Sequence, residues 1–267
     1  MAKFCNGVFS AVKPSAVTSF GVVKELRAIL QRHFQLHPFK PIIKLGHGGT
    51  LDKFATGVLV IGVGTGCQEL THFLSDCDKS YQARIKFGIE TDTLDPSGTI
   101  IRENVPYQHL TLEYIHSTLQ QHFIGPQLQS PPIFSALKHN GKRLSDIARQ
   151  HGIKSVPQKE QRPITIYSAE ILGYPLTQSS NTTNSDLKKF PEESSEVDVV
   201  FNVSSGTYIR QIAADLATHL ETAAHLSRLC RIRQGAFTLE NSLQPSDWTA
   251  ENILAKLSDY TSKKNPT

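Results

Sequence analysis

Gly46-His47-Gly48-Gly49-Thr50-Leu51-Asp52-Lys53-Phe54-Ala55-Thr56-Gly57-Val58-Leu59 is the densest stretch of this 267-residue chain. Three glycines surround one histidine, an aspartate follows, and the stretch runs into Leu59–Val63, a short apolar run suited to a buried strand. Glycine lets the backbone approach a ligand closely, so the pattern describes a loop that delivers Asp52 to a site. A tight structural turn with Asp52 as a local cap accounts for the same residues at this level.

Working outward, Tyr81, Ala83, Ile85, Phe87 and Ile89 alternate with Gln82, Arg84, Lys86, Gly88 and Glu90, the period of a half-buried strand with Tyr81 at its start. Val197, Val199, Phe201 and Val203 alternate again before the turn Ser204-Ser205-Gly206. Thr207 is placed to cap a helix with Ile209, Ile212, Ala213, Leu216 and Leu220 on one face, which sets Tyr208 and Arg210 on its first turn. A further helix is expected near Phe20–Leu30, entered through Thr18-Ser19. Strands and helices mix without regular βαβ alternation, so the fold class is read as α+β.

Composition excludes more than it proposes. With 39% hydrophobic and 19% charged residues the chain reads as a globular protein, and no apolar run approaches the ~20 residues of a membrane span. Cys5, Cys67, Cys77 and Cys230 show no C-x-x-C and no zinc spacing, so no metal is expected. Gly62-Val63-Gly64-Thr65-Gly66 fails the dinucleotide fingerprint because Cys67 stands where the third glycine belongs. Asp52-Lys53 near Thr56-Gly57 has the look of the phosphorylated loop of ion-pumping ATPases, but at the wrong spacing.

The net charge of +4 is mild, yet it is unevenly placed. Between Lys138 and Arg162 seven bases (Lys138, Lys142, Arg143, Arg149, Lys154, Lys159, Arg162) face two acids, Asp146 and Glu160. A solvated helix face or a nucleic-acid contact would each explain such a run. Arg228, Arg231 and Arg233 form a smaller cluster, and the polar stretch Tyr174–Glu196 reads as a mobile surface insertion.

Together these residues resemble the TruB family of tRNA pseudouridine synthases. Gly46–Leu59 is similar to the family's active-site motif, and four further blocks follow the family's order. They are Lys13-Pro14 with Thr18-Ser19; Asp78-Lys79-Ser80-Tyr81; Pro131-Pro132-Ile133-Phe134-Ser135-Ala136-Leu137-Lys138 running to Arg162-Pro163-Ile164; and Gly206-Thr207-Tyr208-Ile209-Arg210. The similarity continues through Leu226–Leu229 and Gly235-Ala236-Phe237, and the Gly48-Gly49 pair and the ending soon after Trp248-Thr249 resemble the eukaryotic members. Lys53 stands where a proline is common and Ala16 where a glycine is, which bears on loop geometry.

The resemblance implies a pseudouridine synthase fold, with a central mixed, mostly antiparallel sheet flanked by helices and RNA-binding loops. It implies a catalytic domain over residues 1–250, an RNA-clamping insertion at 130–163, the surface insertion at 174–196, a C-terminal helix or tail at 251–267, and no additional RNA-binding (PUA) domain. Asp52 would be the essential carboxylate, acting on the ribose as nucleophile or base, and Arg210 its ion-pair partner. Tyr81 would stack on the uracil and help move its C5 proton; Tyr208 and Leu229 would line the pocket; His47 would fill the space that the turned-out uridine leaves. Lys138, Lys142, Arg143, Arg149 and Arg162 would position the RNA through phosphates. The expected substrate is uridine 55 in the T-arm of tRNA, with T-loop-like mRNA hairpins as further candidates. No cofactor, no membrane contact and a monomeric state are expected, in cytoplasm or nucleus, with a mitochondrial pool as an additional location. The reading from a different class is a tRNA-binding or RNA-folding protein on the same scaffold, with catalysis secondary.

Overall fold

In the computed structural model of the chain, Val197, Val199, Phe201 and Val203 are all fully buried while the residues between them are half-buried, as their alternation demands. The structure describes residues 6–36, 43–135, 137–157, 160–174 and 195–264. Most of the expected insertion at 174–196 lies outside the described residues; its last residue, Glu196, already belongs to a strand. The elements in chain order are β1 (Gly7–Lys13), α1 (Ser19–His33), β2 (Leu45–His47), β3 (Thr56–Val63), α2 (Leu70–Ser75), β4 (Lys79–Phe87), β5 (Glu90–Thr91), β6 (Ile100–Arg102), α3 (Leu112–His122) and β7 (Gly125–Gln129). Then come β8 (Lys138–His139), β9 (Lys142–Arg143), α4 (Leu144–His151), β10 (Arg162–Gly173), β11 (Glu196–Val203), α5 (Ile209–His219), β12 (Ala224–Gln234), β13 (Phe237–Thr238) and α6 (Ala250–Lys264).

The chain divides into two units, one of residues 1–80 with 230–267, the other of residues 81–229, so that β4 and β12 each contribute to both. The first unit carries strands in the order β1-β3-β12, with β2 on β3 and β13 on β12. β1 and β3 are antiparallel, Ser10 opposite Val60, whereas β3 and β12 are parallel, Gly57 opposite Arg231. Because side chains alternate between faces, β3 needs apolar residues throughout to be buried on both. Leu59, Ile61 and Val63 pack with Phe9, α1 and α6, while Val60 packs with Val8, Leu70 and Phe73. Helix α1 begins where expected: the Thr18 hydroxyl accepts from the Gly21 N–H at 3.0 Å, and Val22, Val23, Leu26 and Leu30 face the core.

The second unit orders its strands β12-β4-β11-β10-β7. β7–β10 and β10–β11 are antiparallel, giving a mostly antiparallel α+β arrangement, as the sequence indicated. Arg84 on β4 grips Asp198 on β11 through both carboxylate oxygens at 2.8 and 2.7 Å, a planar fork matched to a carboxylate. Of the two readings of the basic run, a single solvated helix face does not hold: its described residues form a hairpin, β8–β9, then α4, which buries Leu144 and Ala148, and Arg162 opens β10, while Lys159 lies outside the described residues. One expectation is corrected here. Thr207 does not cap α5, because Gly206 at φ 80° turns the chain so that the Thr207 hydroxyl donates back to the Ser204 carbonyl at 2.9 Å. Tyr208 holds the cap position, without a side-chain cap hydrogen bond, and Arg210 lies in the first turn.

Candidate active site

The loop bearing Asp52 is built between β2 and β3. β2 pairs antiparallel with β3, and the Gly48 N–H continues that ladder to the Val60 carbonyl at 2.8 Å. From there to β3 the backbone is fixed mainly by a neighbouring segment, residues 13–19. The Ser19 hydroxyl accepts from the Leu51 N–H at 2.9 Å and donates to its carbonyl at 3.2 Å. On the other side of Asp52, the Lys53 carbonyl accepts from the Ala16 N–H at 2.9 Å and from Lys13 Nζ at 3.3 Å, and the Phe54 carbonyl accepts from the Ser15 hydroxyl. Leu51 and Lys53, the residues on either side of half-buried Asp52, are therefore both held by residues outside its loop.

Below the loop lie two buried side chains of β12. Arg231, 1% exposed, donates to the carbonyls of Val58 at 2.7 Å and Gly49 at 3.1 Å. Gln234 donates to the carbonyls of Gly48 and Phe73. Gly57 adopts φ 110°, and a Cβ there would overlap the Arg231 backbone, so glycine is what permits β12 to lie against β3 at this point.

This unit concentrates positive charge around a carboxylate. Lys13 is fully buried, its ammonium donating to the carbonyls of Pro14 at 2.9 Å and Val17 at 2.7 Å as well as to Lys53. Burial pulls Lys13 down from 10.5 to about 8, against the opposing pull of Asp52 and with a smaller lowering from Arg231. Burial, then Arg231, also lowers His47, so its imidazole is neutral at neutral pH; its Nδ1 is buried and without a hydrogen-bond partner among the described residues. Lys13, Ser19, Arg231 and Gln234 were not among the sequence-derived candidates for the site. The signal for the first two was present in the Lys13-Pro14 and Thr18-Ser19 blocks; Arg231 was visible only as one of a trio of arginines.

Tyr81, Tyr208, Arg210 and Leu229 belong to the second unit. Tyr81 is 7% exposed as the third residue of β4, preceded on the strand by buried Lys79 and Ser80, and Leu229 is equally covered on β12. Arg210 is 3% exposed. Its guanidinium donates to the carbonyls of Thr93 at 2.6 Å and Phe134 at 2.9 Å, and Nη1 lies 3.8 Å from the Asp95 carboxylate. Asp95 is in turn fixed by Thr93 Oγ1, the Ser97 N–H and the Ser97 hydroxyl, in a turn where Leu94 takes φ 60°. Asp215, the helical neighbour that could have paired with Arg210, instead accepts from Gln211 at 2.8 Å. Tyr208 is held through its backbone: its N–H donates to Gln129 Oε1 at 2.8 Å, and Gln129 Nε2 donates to its carbonyl at 3.1 Å.

Of the basic residues, Lys142, Arg149 and Arg162 are exposed, while Lys138 and Arg143 sit opposite each other in the β8–β9 ladder. α4 and the turn that holds Arg210 border a cleft of about 650 Å³, lined by Asp92, Thr93, Phe134, Arg149 and Ile153 among others. Among the described residues there is no group of three or more His, Cys, Asp or Glu placed to hold a metal ion, and no helix long and apolar enough to cross a membrane.

The first unit thus carries an aspartate loop fixed over buried Arg231 and Gln234, and the second carries a buried arginine held by two carbonyls. Comparison with known proteins places the chain more closely. Residues 35–209 match the TruB family pseudouridylate synthase N-terminal domain. Pseudouridylate synthase TRUB1 of Homo sapiens is 36% identical over 96% of this chain and 69% of its own length. The tRNA pseudouridine synthase B of Desulfotalea psychrophila is 38% identical over 93% of this chain and 90% of its own. The chain belongs to the TruB family of pseudouridylate synthases, enzymes of the isomerase class. Its fold is similar to that of a chain in a Cbf5-Nop10-Gar1 complex, at a TM-score of 0.59 and 22% identity, covering 97% of this chain and 56% of that one.

Proposed function

We propose that this chain converts uridine 55 in the T-loop of tRNA to pseudouridine, with Asp52 as the catalytic carboxylate. The observation that carries the reading is the Asp52 loop itself. Its neighbours Leu51 and Lys53 are held by Ser19 and by Lys13 and Ala16, and cationic Lys13 lies near enough to Asp52 for the carboxylate to raise its pKa. A cation beside a carboxylate offsets part of the cost of taking it out of water when a substrate covers the site. The names of the relatives, tRNA pseudouridine synthase B among them, support tRNA as the substrate.

The reaction breaks the bond between ribose C1′ and uracil N1, turns the base, and joins C1′ to C5; C5 gives up its proton and N1 takes one up, so the product is an isomer of the substrate and no oxidant is needed. Asp52 attacks C1′ or acts as the base that opens a glycal path. Arg210 serves as its ion-pair partner in the substrate complex. Tyr208 and Leu229 line the uracil pocket, and Tyr81 stacks on the base and assists removal of the C5 proton. Turning the uridine out of its stack costs a few kcal/mol. His47, neutral and planar, fills the vacated space, and phosphate contacts from Lys138, Lys142, Arg143, Arg149 and Arg162 offset the rest of that cost.

The test incubates the protein and Asp52→Asn with unmodified tRNA and maps pseudouridine by carbodiimide-dependent reverse-transcription stops. A new stop at the T-loop uridine with the parent protein alone is expected. Tight tRNA binding with no stop from either protein would instead establish an RNA-binding or RNA-folding role.

A further inference from the structure

Gln129 is the last residue of β7 and 5% exposed. Its carboxamide meets the backbone of Tyr208 as a peptide would: Oε1 accepts from the Tyr208 N–H at 2.8 Å, and Nε2 donates to the Tyr208 carbonyl at 3.1 Å. One side chain thus meets both backbone groups of a single residue, 79 positions away, and at the carbonyl it joins the Gln211 and Ile212 N–H groups, each also at 3.1 Å. That residue is the cap position of α5, where no side-chain cap exists because Thr207 has turned back to Ser204. Two residues on is Arg210, whose guanidinium donates to Phe134, five residues beyond Gln129. The stretch leaving Gln129 is also the entry to the basic projection, through Ser130, Pro131 and Pro132.

From this geometry we infer that Gln129 is a positioning residue for the reaction, fixing Tyr208 and the first turn of α5 and tying them to the base of the RNA-contacting projection. The inference rests on the reading of Tyr208 and Arg210 as site residues. An amide matches both groups at once, offering an acceptor to the N–H and a donor beside it to the carbonyl. A glutamate keeps the acceptor for the Tyr208 N–H but, when ionised, sets a second lone pair against the Tyr208 carbonyl. Protonation restores the donor. Burial and the facing carbonyl both favour the protonated form, which raises the carboxyl pKa toward the working range.

The experiment measures single-turnover pseudouridine formation at saturating tRNA, tRNA dissociation constants and thermal melting for the parent, Gln129→Ala, Gln129→Glu and the inactive control Asp52→Asn, between pH 5.5 and 8.5. Gln129→Ala is expected to lose roughly ten- to a hundredfold in turnover, the scale of a misplaced site group, while tRNA affinity changes less than about threefold. Gln129→Glu is expected to be similarly slow at pH 8 and to recover toward the parent as pH falls, a profile that a purely structural role would not produce. Parent-like turnover of Gln129→Ala, loss confined to tRNA affinity, or a Gln129→Glu profile parallel to the parent would each overturn the inference. Should Gln129→Ala fail to fold, the Gln129→Glu profile alone decides. A parent protein that makes no pseudouridine would overturn the functional reading first, and this inference with it.

Discussion

Ala16 adopts φ 64°, a left-handed conformation that costs an alanine about 1–2 kcal/mol, and holds it because its N–H is bonded to the Lys53 carbonyl beside Asp52. Ala16→Gly should therefore raise stability by about 1 kcal/mol in urea unfolding, after the added freedom of the unfolded chain is subtracted; a loss would show that the turn carries no strain. Lys13 has a pH signature. Its folded pKa, about 8, lies below the unfolded 10.5, so between these values the unfolded state binds more protons. Its contribution to stability is fully present above pH 10.5 and is lost as pH falls through about 8. Relative to Lys13→Met, the parent should gain stability as pH rises from 8 to 10.5, whereas a pH-independent difference in urea midpoints would place the ammonium in solvent. At Gly57 any side chain would meet the Arg231 backbone, so Gly57→Ala should destabilise severely, by roughly 3 kcal/mol or more, through forced separation of β3 and β12.

The β8–β9 hairpin turns through Asn140 and Gly141 at φ 49° and 82°, the positive values that a two-residue type I′ turn needs and that Asn-Gly supplies. Asn140-Gly141 is thus a turn signal present in the sequence itself, set within a stretch dominated by its charges. Lys142 on β9 and Arg149 in the last turn of α4 are exposed, while Leu144 and Ala148 hold the helix down. Lys142→Glu or Arg149→Glu should weaken tRNA binding and flatten its dependence on salt. The melting temperature should barely change, since both side chains are exposed and a charge in a helix's last turn, as at Arg149, is typically worth only about 0.3–1 kcal/mol. Unchanged affinity across a salt series would remove these residues from the RNA contact. The start of α5 shows the limit of reading caps locally: Thr207 has the right residue type, but Gly206 redirects it and the backbone of Tyr208 is met by Gln129 from β7.

At the scale of the whole chain, a net charge of only +4 carries a local surplus of five between Lys138 and Arg162. Binding to tRNA should weaken steeply with salt, the logarithmic slope falling by roughly 0.7–0.9 for each phosphate contacted, and a flat slope would mean that shape alone holds the RNA. By itself the sequence determined what is local and periodic. It marked the alternating strands β4 and β11, the buried run of β3, the helix after Thr18, and Asp52 in a glycine-rich loop, because side-chain spacing along one element fixes which face it buries. Tertiary structure alone decided what surrounds Asp52 and Tyr208. Lys13 reaches Lys53 across 40 positions, Gln129 reaches Tyr208 across 79, and Arg231 reaches Gly49 across 182, the last by way of a parallel pairing with β3. Such partners meet through strand order and close approach at glycines, which no spacing within a single element records.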